Sequence, residues 1–291
     1  VTPIIELAVA AWNQSCPAAM QQRAIDALEA GGVLFFPGLG FPLEAAEARF
    51  FTPAIAAKSK NISLDAAGGR IHGSSLDGAA AAGLAAMMQR YAEYSRGLLL
   101  KLLPRYETGL IPGRTSFRPV EIKGRPTSWR KDDTRLHVDS FPSSPVQGKR
   151  ILRVFSNVNP RGQSRRWRLG GSFESVAGRY AASLPKPLWG SSWLLRMSGV
   201  TKSRRSAYDH YMLQLHDRMK ADATYQSNGE QMTYDFPAGS SWIVFTDRVP
   251  HAATVGQYAL EQTFYLPVNS MQDESKSPLR ILERLMARNL V

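Results

Sequence analysis

Apolar positions at helical spacing run through residues 17–30, and a Gly31-Gly32 pair separates them from the unbroken run Val33 to Phe36. The spacing predicts a helix, and the short run closed by Pro37 and Gly38 predicts a buried strand. From Leu84, the positions Met87, Met88, Tyr91, Leu98 and Leu102 recur at helical spacing up to Pro104. That predicts a long helix stopped by a residue without an N–H, its Met and aromatic stripe serving as core packing. Residues 58–78 between them are rich in Gly, Ser, Asp and Ala without periodicity, which predicts a loop, and His72 within it has no evident partner.

From Arg114 the period shortens to two. Residues 115–123, 135–138, 150–158 and 165–169 read as strands, helical patches return at 173–182 and 207–220, and strands follow at 232–236, 241–246 and 260–266. Ser277 and Pro278 supply an N-cap and a first-turn proline for a closing amphipathic helix over 279–290. No repeat and no long linker divides the chain. Helices followed by many strands with a helical insertion predict one α+β domain over 1–291, its strands forming a sandwich or open barrel.

Composition narrows the class. A hydrophobic content of 44% over 291 residues is enough for a full core. The single cysteine, Cys16, excludes an internal disulfide and suits a reducing compartment, so the expected location is cytoplasmic. Lys101 breaks the best apolar run, 97–103, far short of the roughly 20 residues of a spanning helix, and the N-terminus lacks a signal-peptide pattern. A formal charge of +12 points to an anionic partner: nucleic acid, an anionic membrane surface or an acidic small substrate.

Candidate chemistry gathers on three residues. In His137-Val138-Asp139 the two ligand types stand at i and i+2, which on a strand places both side chains on one face. His251 lies 112 residues beyond Asp139, at the end of the β-like run 242–245. Two imidazoles and a carboxylate on one side of a metal leave the other positions open, the arrangement of Fe(II) oxygenases. A bare His-x-Asp is as well explained by a core hydrogen bond, and the third ligand makes the difference. His210 and His216 are six apart on a predicted helix, on different faces, and read as surface or packing residues.

Residues 136–140 (Leu-His-Val-Asp-Ser), the strand 153–160 (Arg-Val-Phe-Ser-Asn-Val-Asn-Pro), Pro250-His251-Ala252 and the following 257–264 together resemble the 2-oxoglutarate-dependent dioxygenases. More closely they resemble the hydroxylases of Kdo, the 3-deoxy-manno-octulosonic acid sugar of bacterial lipid A. The resemblance covers about 114–266 and is weak in the N-terminal third. It implies a double-stranded β-helix, or jelly roll, over 113–268, with 1–112 as helical support and a first strand, and 269–291 as a C-terminal helix. It also implies Fe(II) on His137, Asp139 and His251, with 2-oxoglutarate and O2 as co-substrates, and hydroxylation at C3 of a Kdo sugar on lipid A.

One departure stands out. Many such dioxygenases bind the distal carboxylate of 2-oxoglutarate with a cation some ten residues past the second histidine, but no Lys or Arg occurs between His251 and Lys276, and Gln262 stands near the expected place. A neutral amide donates hydrogen bonds without neutralising charge. Along 150–158, Leu152, Val154 and Val158 share one face and Arg153, Phe155 and Asn157 the other. With the apolar face outward, Arg153 and Asn157 would point into the barrel, making Arg153 the candidate cation for the co-substrate or for a substrate carboxylate.

Arg161, Arg165, Arg166 and Arg168 surround Trp167, and Arg165 and Trp167 share a strand face. A guanidinium fork beside a flat ring suits an acidic sugar, with Arg118 as a second fork. The expected substrate contacts are Arg118, Arg153, Arg165 and Trp167. Lys202, Arg204 and Arg205, with Arg280, Arg284 and Arg288 of the C-terminal helix, suit peripheral contact with the inner face of the bacterial inner membrane, although that helix equally reads as a cap on the barrel. Two other readings remain open: a 2-oxoglutarate oxygenase acting on nucleic acid, which would use the same iron and charge, and a non-catalytic β-barrel that binds acidic glycans.

Overall fold

Alternation along the strands decides the architecture. In the computed structural model, which describes residues 1–57, 59–66, 69–125, 127–187 and 191–291, the elements run as follows. The N-terminal part holds β1 (Ile4–Glu6), α1 (Ala18–Glu29), β2 (Val33–Phe36), β3 (Ile62–Leu64), β4 (Ile71–His72), α2 (Gly78–Leu102) and β5 (Ile111–Arg118). Next come β6 (Arg150–Asn157), β7 (Arg165–Gly170), α3 (Phe173–Tyr180), α4 (Ser191–Met197), α5 (Ala207–Ala221) and α6 (Ala223–Asn228). Strands β8 (Gln231–Phe236), β9 (Ser241–Phe245), β10 (His251–Val255) and β11 (Ala259–Leu266), then α7 (Pro278–Met286), close the chain.

The large sheet has the order β1-β2-β9-β6-β11-β5-β3-β4, and the small one β10-β7-β8. A bridge between His137 and His251 adds the 136–138 segment beside β10. The central four strands of the large sheet thus face a four-membered small sheet, both antiparallel, which is the expected jelly roll with supporting helices.

The outer face of the large sheet carries Leu152, Val154, Leu260 and Phe264, packed with Met87, Met88, Tyr91 and Leu98 of α2 and Leu28 of α1 in one apolar core. Each such side chain contributes about 1.5–3 kcal/mol by leaving water, which holds the helices against the sheet. The inner face supplies Phe155, Trp242 and Val244, which meet Trp167, Leu169 and Phe236 of the small sheet.

Sequence expectations change in three places. Residues 1–112, expected as helical support with a first strand, hold the four strands β1–β4 and the start of β5. The 58–78 stretch is more than a loop: β3 and β4 extend the large sheet at its edge, and His72 Nε2 meets Asp65 Oδ2 at 2.8 Å. Strands of three and two residues are too short to show a period; positions 58, 67 and 68 lie outside the described residues. The C-terminal helix ends earlier than expected, where Ala287 turns left-handed (φ 51°), and it acts as the cap: Leu279, Ile281 and Leu282 are buried against α3 and α5, while Arg280 pairs with Glu274 and Glu283 in water.

Candidate metal centre and its ligand pocket

His137 and His251 face each other across the two sheet partners that carry them. Their backbones exchange hydrogen bonds, His137 N to His251 O at 3.0 Å and His251 N to His137 O at 2.9 Å. Directly opposed residues of an antiparallel pair put their side chains on the same face. Asp139 follows two residues after His137, so it joins that face, with its N–H on the Thr246 carbonyl at 2.8 Å. The three side chains are buried, and their ligand atoms lie within 4.8 Å of one another.

The protonation pattern suits a cation. Each imidazole donates Nδ1–H to the carbonyl two residues before it, His137 to Arg135 at 2.7 Å and His251 to Val249 at 2.9 Å, so each Nε2 lone pair is free. Burial, and for His137 also the neighbouring His251, holds both rings below the ordinary histidine pKa. Burial works to raise the Asp139 carboxyl, but the Arg153 guanidinium beside it holds it below the carboxylate range. Two neutral nitrogens and one anionic oxygen converge on one point, a donor set that fits a divalent ion. Trp167 fixes the second ring, stacked on His251 with centroids 5.1 Å apart at 22°. His216 of α5 abuts His137 edge-on at 5.2 Å, so it is a packing residue of the site itself.

Beside these residues lies a charged inner wall. Arg153 projects inward as its strand face required, its Nη1 being 3.2 Å from Asp139 Oδ2 and 3.0 Å from Glu261 Oε1. Arg118 grips the other oxygen of Glu261 at 2.5 Å. Arg165 is also inward, donating to the Gly256 carbonyl at 3.3 Å. Gly256 has φ +127°, and a Cβ there would sit 2.9 Å from Arg165 Cγ, so the turn before β11 approaches Arg165 only as glycine. Burial, with Arg118 nearby, pushes Arg165 down to about 9.

Several buried donors on this wall have no hydrogen-bond partner among the described residues: Arg153 Nε, Arg165 Nε, Trp167 Nε1 and Trp242 Nε1. Buried polar atoms in native proteins are nearly always paired, so a wall of orphan donors marks a place for an acceptor-rich ligand. A dicarboxylate fits that description.

Other sequence candidates are corrected by the same alternation. Gln262 lies on the outer face with Leu260 and Phe264, where its amide serves Thr115 Oγ1 (2.5 Å) and the carbonyls of Gly113 and Thr263, away from the metal ligands. Asn157 does face inward, but both its amide N–H groups are used, donating to Gln163 O and Phe236 O, while Oδ1 accepts from Asn159 N. It fastens the β6–β7 turn and has no donor left for a co-substrate carboxylate. Trp167 is 2% exposed and enclosed by Phe155, Phe236, Trp242 and His251, so it offers no open platform for a sugar or a base. The arginine cluster also divides: Arg165 turns in, while Arg166 pairs outside with Asp235 at 2.8 Å and Arg168 with Gln231 and the Gln226 carbonyl.

Glu261, which organises two arginines, was missed although legible. Leu260 and Phe264 mark the outer parity of β11, which assigns Glu261 and Thr263 to the barrel and excludes Gln262.

Comparison with known proteins agrees. The family model of the 3-deoxy-D-manno-oct-2-ulosonic acid (Kdo) hydroxylases matches residues 11–289. Solved structures of the Kdo hydroxylase KdoO, described as a non-haem Fe(II) α-ketoglutarate (2-oxoglutarate) dependent dioxygenase, superimpose over the whole chain. The complex with α-ketoglutarate and Fe(III) is 48% identical, with 100% of this chain and 98% of that one covered and a TM-score of 0.97. The cobalt(II) complex and the apo structure, each 49% identical, give the same coverage and TM-score. No match was found among curated proteins. With nearly its full length matched by the family model and by homologous structures, the chain belongs to the Kdo hydroxylase family.

Proposed function

We propose that this protein is an Fe(II)- and 2-oxoglutarate-dependent dioxygenase that hydroxylates C3 of a Kdo sugar carried on lipid A. The observation that carries the reading is the convergence of His137 Nε2, His251 Nε2 and Asp139 next to a wall of unpaired buried donors. A glycan-binding barrel without turnover has no use for a metal site with open positions, and the enclosed Trp167 removes the base-stacking surface on which the nucleic-acid reading relied.

The chain's residues divide the work. His137, Asp139 and His251 hold the metal, and the fixed Nδ1–H bonds present Nε2 in the ligating tautomer. Asp139 Oδ2 lies 3.2 Å from Arg153 Nη1 without a hydrogen bond, and Oδ1 lies 3.8 Å from His137 Nε2. Arg153 and Arg165, with Arg118 beside them, offer the cations for the two carboxylates of 2-oxoglutarate, so the function expected of a downstream arginine passes to strands β5, β6 and β7. When bound, ferrous iron supplies the site where oxygen and 2-oxoglutarate react to give succinate, carbon dioxide and one oxygen atom for the C–H bond. The aromatic packing of Phe155, Trp167, Phe236 and Trp242 closes the barrel beside His251 against water.

Access from a membrane fits the surroundings. No helix among the described residues is long and apolar enough to cross a membrane. Yet Trp193, Met197 and Val200 are exposed, with Arg196 and Lys202 among them, and Lys202 N and Arg205 Nη2 bond to Ser143 and Pro142, just beyond the metal ligand Asp139. An apolar and basic rim of this kind suits peripheral contact at an anionic inner-membrane surface.

Anaerobic loading with Fe(II) and 2-oxoglutarate, then oxygen and Kdo-lipid A, tests the reading. One hydroxyl at C3, located by NMR, with equimolar succinate is the expected result. Succinate without sugar oxidation, together with turnover on single-stranded nucleic acid, would replace it.

A further inference from the structure

Beyond the metal ligands and the inner arginines, a second group of cations meets a single carboxylate. Lys60 Nζ is 2.6 and 2.7 Å from the two oxygens of Asp133, and Arg125 Nη2 is 3.1 Å from Oδ2. Arg118 Nη1 stands 3.8 Å from the same oxygen, although its main partner is Glu261. Lys220 lies nearby, its Nζ on the Arg130 carbonyl at 3.0 Å.

The place is next to the metal ligands. Asp133 precedes His137 by four residues, and its carbonyl accepts from Ala253, two residues after His251. Lys60 Nζ also bonds the Lys131 carbonyl at 3.2 Å, so it ties the loop before β3 to the segment that leads into His137. The Lys60, Arg125 and Asp133 side chains are 31%, 16% and 17% exposed, at the rim rather than deep in the barrel.

One carboxylate is shared among several cations: Asp133 receives Lys60 and Arg125 directly, with Arg118, held mainly by Glu261, and Lys220 close by. Burial works against the Lys60 ammonium as well, and only Asp133 opposes that cost strongly. A fixed anion that shares several cations is readily supplemented by a second anion.

The substrate's own chemistry requires such a site. In a 3-deoxy-oct-2-ulosonic acid the deoxy carbon C3 is separated from the carboxyl carbon C1 only by C2. Whatever binds the carboxylate must therefore lie close beside the metal's open side. The inner arginines are already assigned to 2-oxoglutarate, and the remaining cations near the ligands are those of the rim.

Resting on the functional reading above, we infer that Lys60 and Arg125 form the subsite for the carboxylate of the acidic sugar, with Asp133 as its placeholder in the free enzyme. The incoming carboxylate joins or displaces Asp133 and draws the Lys60 loop onto the substrate. Asp133 thereby sets a threshold, since neutral sugars cannot compete with it.

The test compares Lys60→Gln, Arg125→Gln and Asp133→Asn in steady-state turnover of Kdo-lipid A by the iron-loaded full chain. The first two should raise the KM for the sugar substrate about tenfold or more while moving the KM for 2-oxoglutarate less than about twofold, with rescue by Lys60→Arg. Asp133→Asn should lower the sugar KM, because it removes the competing anion. A merely structural cluster would shift all three variants in the same direction, so a raised sugar KM in Asp133→Asn overturns the inference. A raised KM for 2-oxoglutarate with an unchanged sugar KM would assign the cations to the co-substrate and also overturn it. Product formation by the unsubstituted protein reports on the functional reading separately.

Discussion

The two faces of the large sheet are made by the same strands yet follow opposite rules. Outward, β6 and β11 present Leu152, Val154, Leu260 and Phe264 to α1 and α2, and the polar Gln262 among them has its amide hydrogen-bonded on both sides. Inward, the alternate residues Arg153 and Glu261 join Arg118 and Asp139 in a charged chain, and donors beside it remain unpaired. The outer face is closed by apolar packing against the helices. The other reaches full pairing only with a ligand, and that asymmetry, set by a period of two, separates packing from function.

Substitutions on the two faces should therefore fail differently. The largest effect belongs to Asp139→Ala, which leaves two neutral ligands and an unbalanced Arg153; iron binding and hydroxylation should fall by about a thousandfold or more, measured by metal titration and product yield. On the outer face, Leu260→Ala should cost about 3 kcal/mol in denaturant unfolding through the cavity it opens, with both KM values nearly unchanged. If Leu260→Ala instead raised the KM for 2-oxoglutarate as strongly as an inner substitution, the division between the faces would be lost.

Arg153→Gln should raise the KM for 2-oxoglutarate about fiftyfold, since a charge-assisted contact is replaced by a neutral one. It should also shrink the stabilisation that 2-oxoglutarate gives the iron-loaded protein, from about 2.7 kcal/mol at a hundred times the original Kd to about 0.6 kcal/mol at the same concentration. Glu261 supplies the pH signature. Burial works to raise its carboxyl, but Arg118 and Arg153 prevail and hold it below the usual range. Its contribution to stability is thus present above about pH 4.3, the unfolded value, and is lost as pH falls through the lower folded value. Urea titrations should show the stability gap between the protein and Glu261→Gln closing below that pH. The smallest effect is Gln262→Leu: about 1–2 kcal/mol from the stranded Thr115 hydroxyl, with catalysis intact.

What was legible followed the strength of each local signal. The convergence of His137, Asp139 and His251 was readable because i and i+2 on a strand guarantee a shared face, and the sheet then needed only to bring β10 alongside. Arg153 was readable for the same reason, its apolar neighbours naming the outer side. Distance along the chain from His251 does not place Gln262 in the site, because the parity of β11 turns it to the outer face with Leu260 and Phe264. The Trp167 assignment had the correct face, but sequence does not reveal that the facing sheet brings Phe155, Trp242 and His251 around the ring. Likewise, Lys60 meets Asp133 across 73 residues, through a loop with no period to announce it.

Whether these residues bring a ferrous ion, 2-oxoglutarate and a Kdo carbon together is tested most directly by turnover under isotopically labelled molecular oxygen, with mass spectrometry of both products. One labelled atom in the new sugar hydroxyl and one in succinate, both absent in His137→Ala, is the predicted result. Unmodified Kdo-lipid A, or label incorporated equally by His137→Ala, would contradict it.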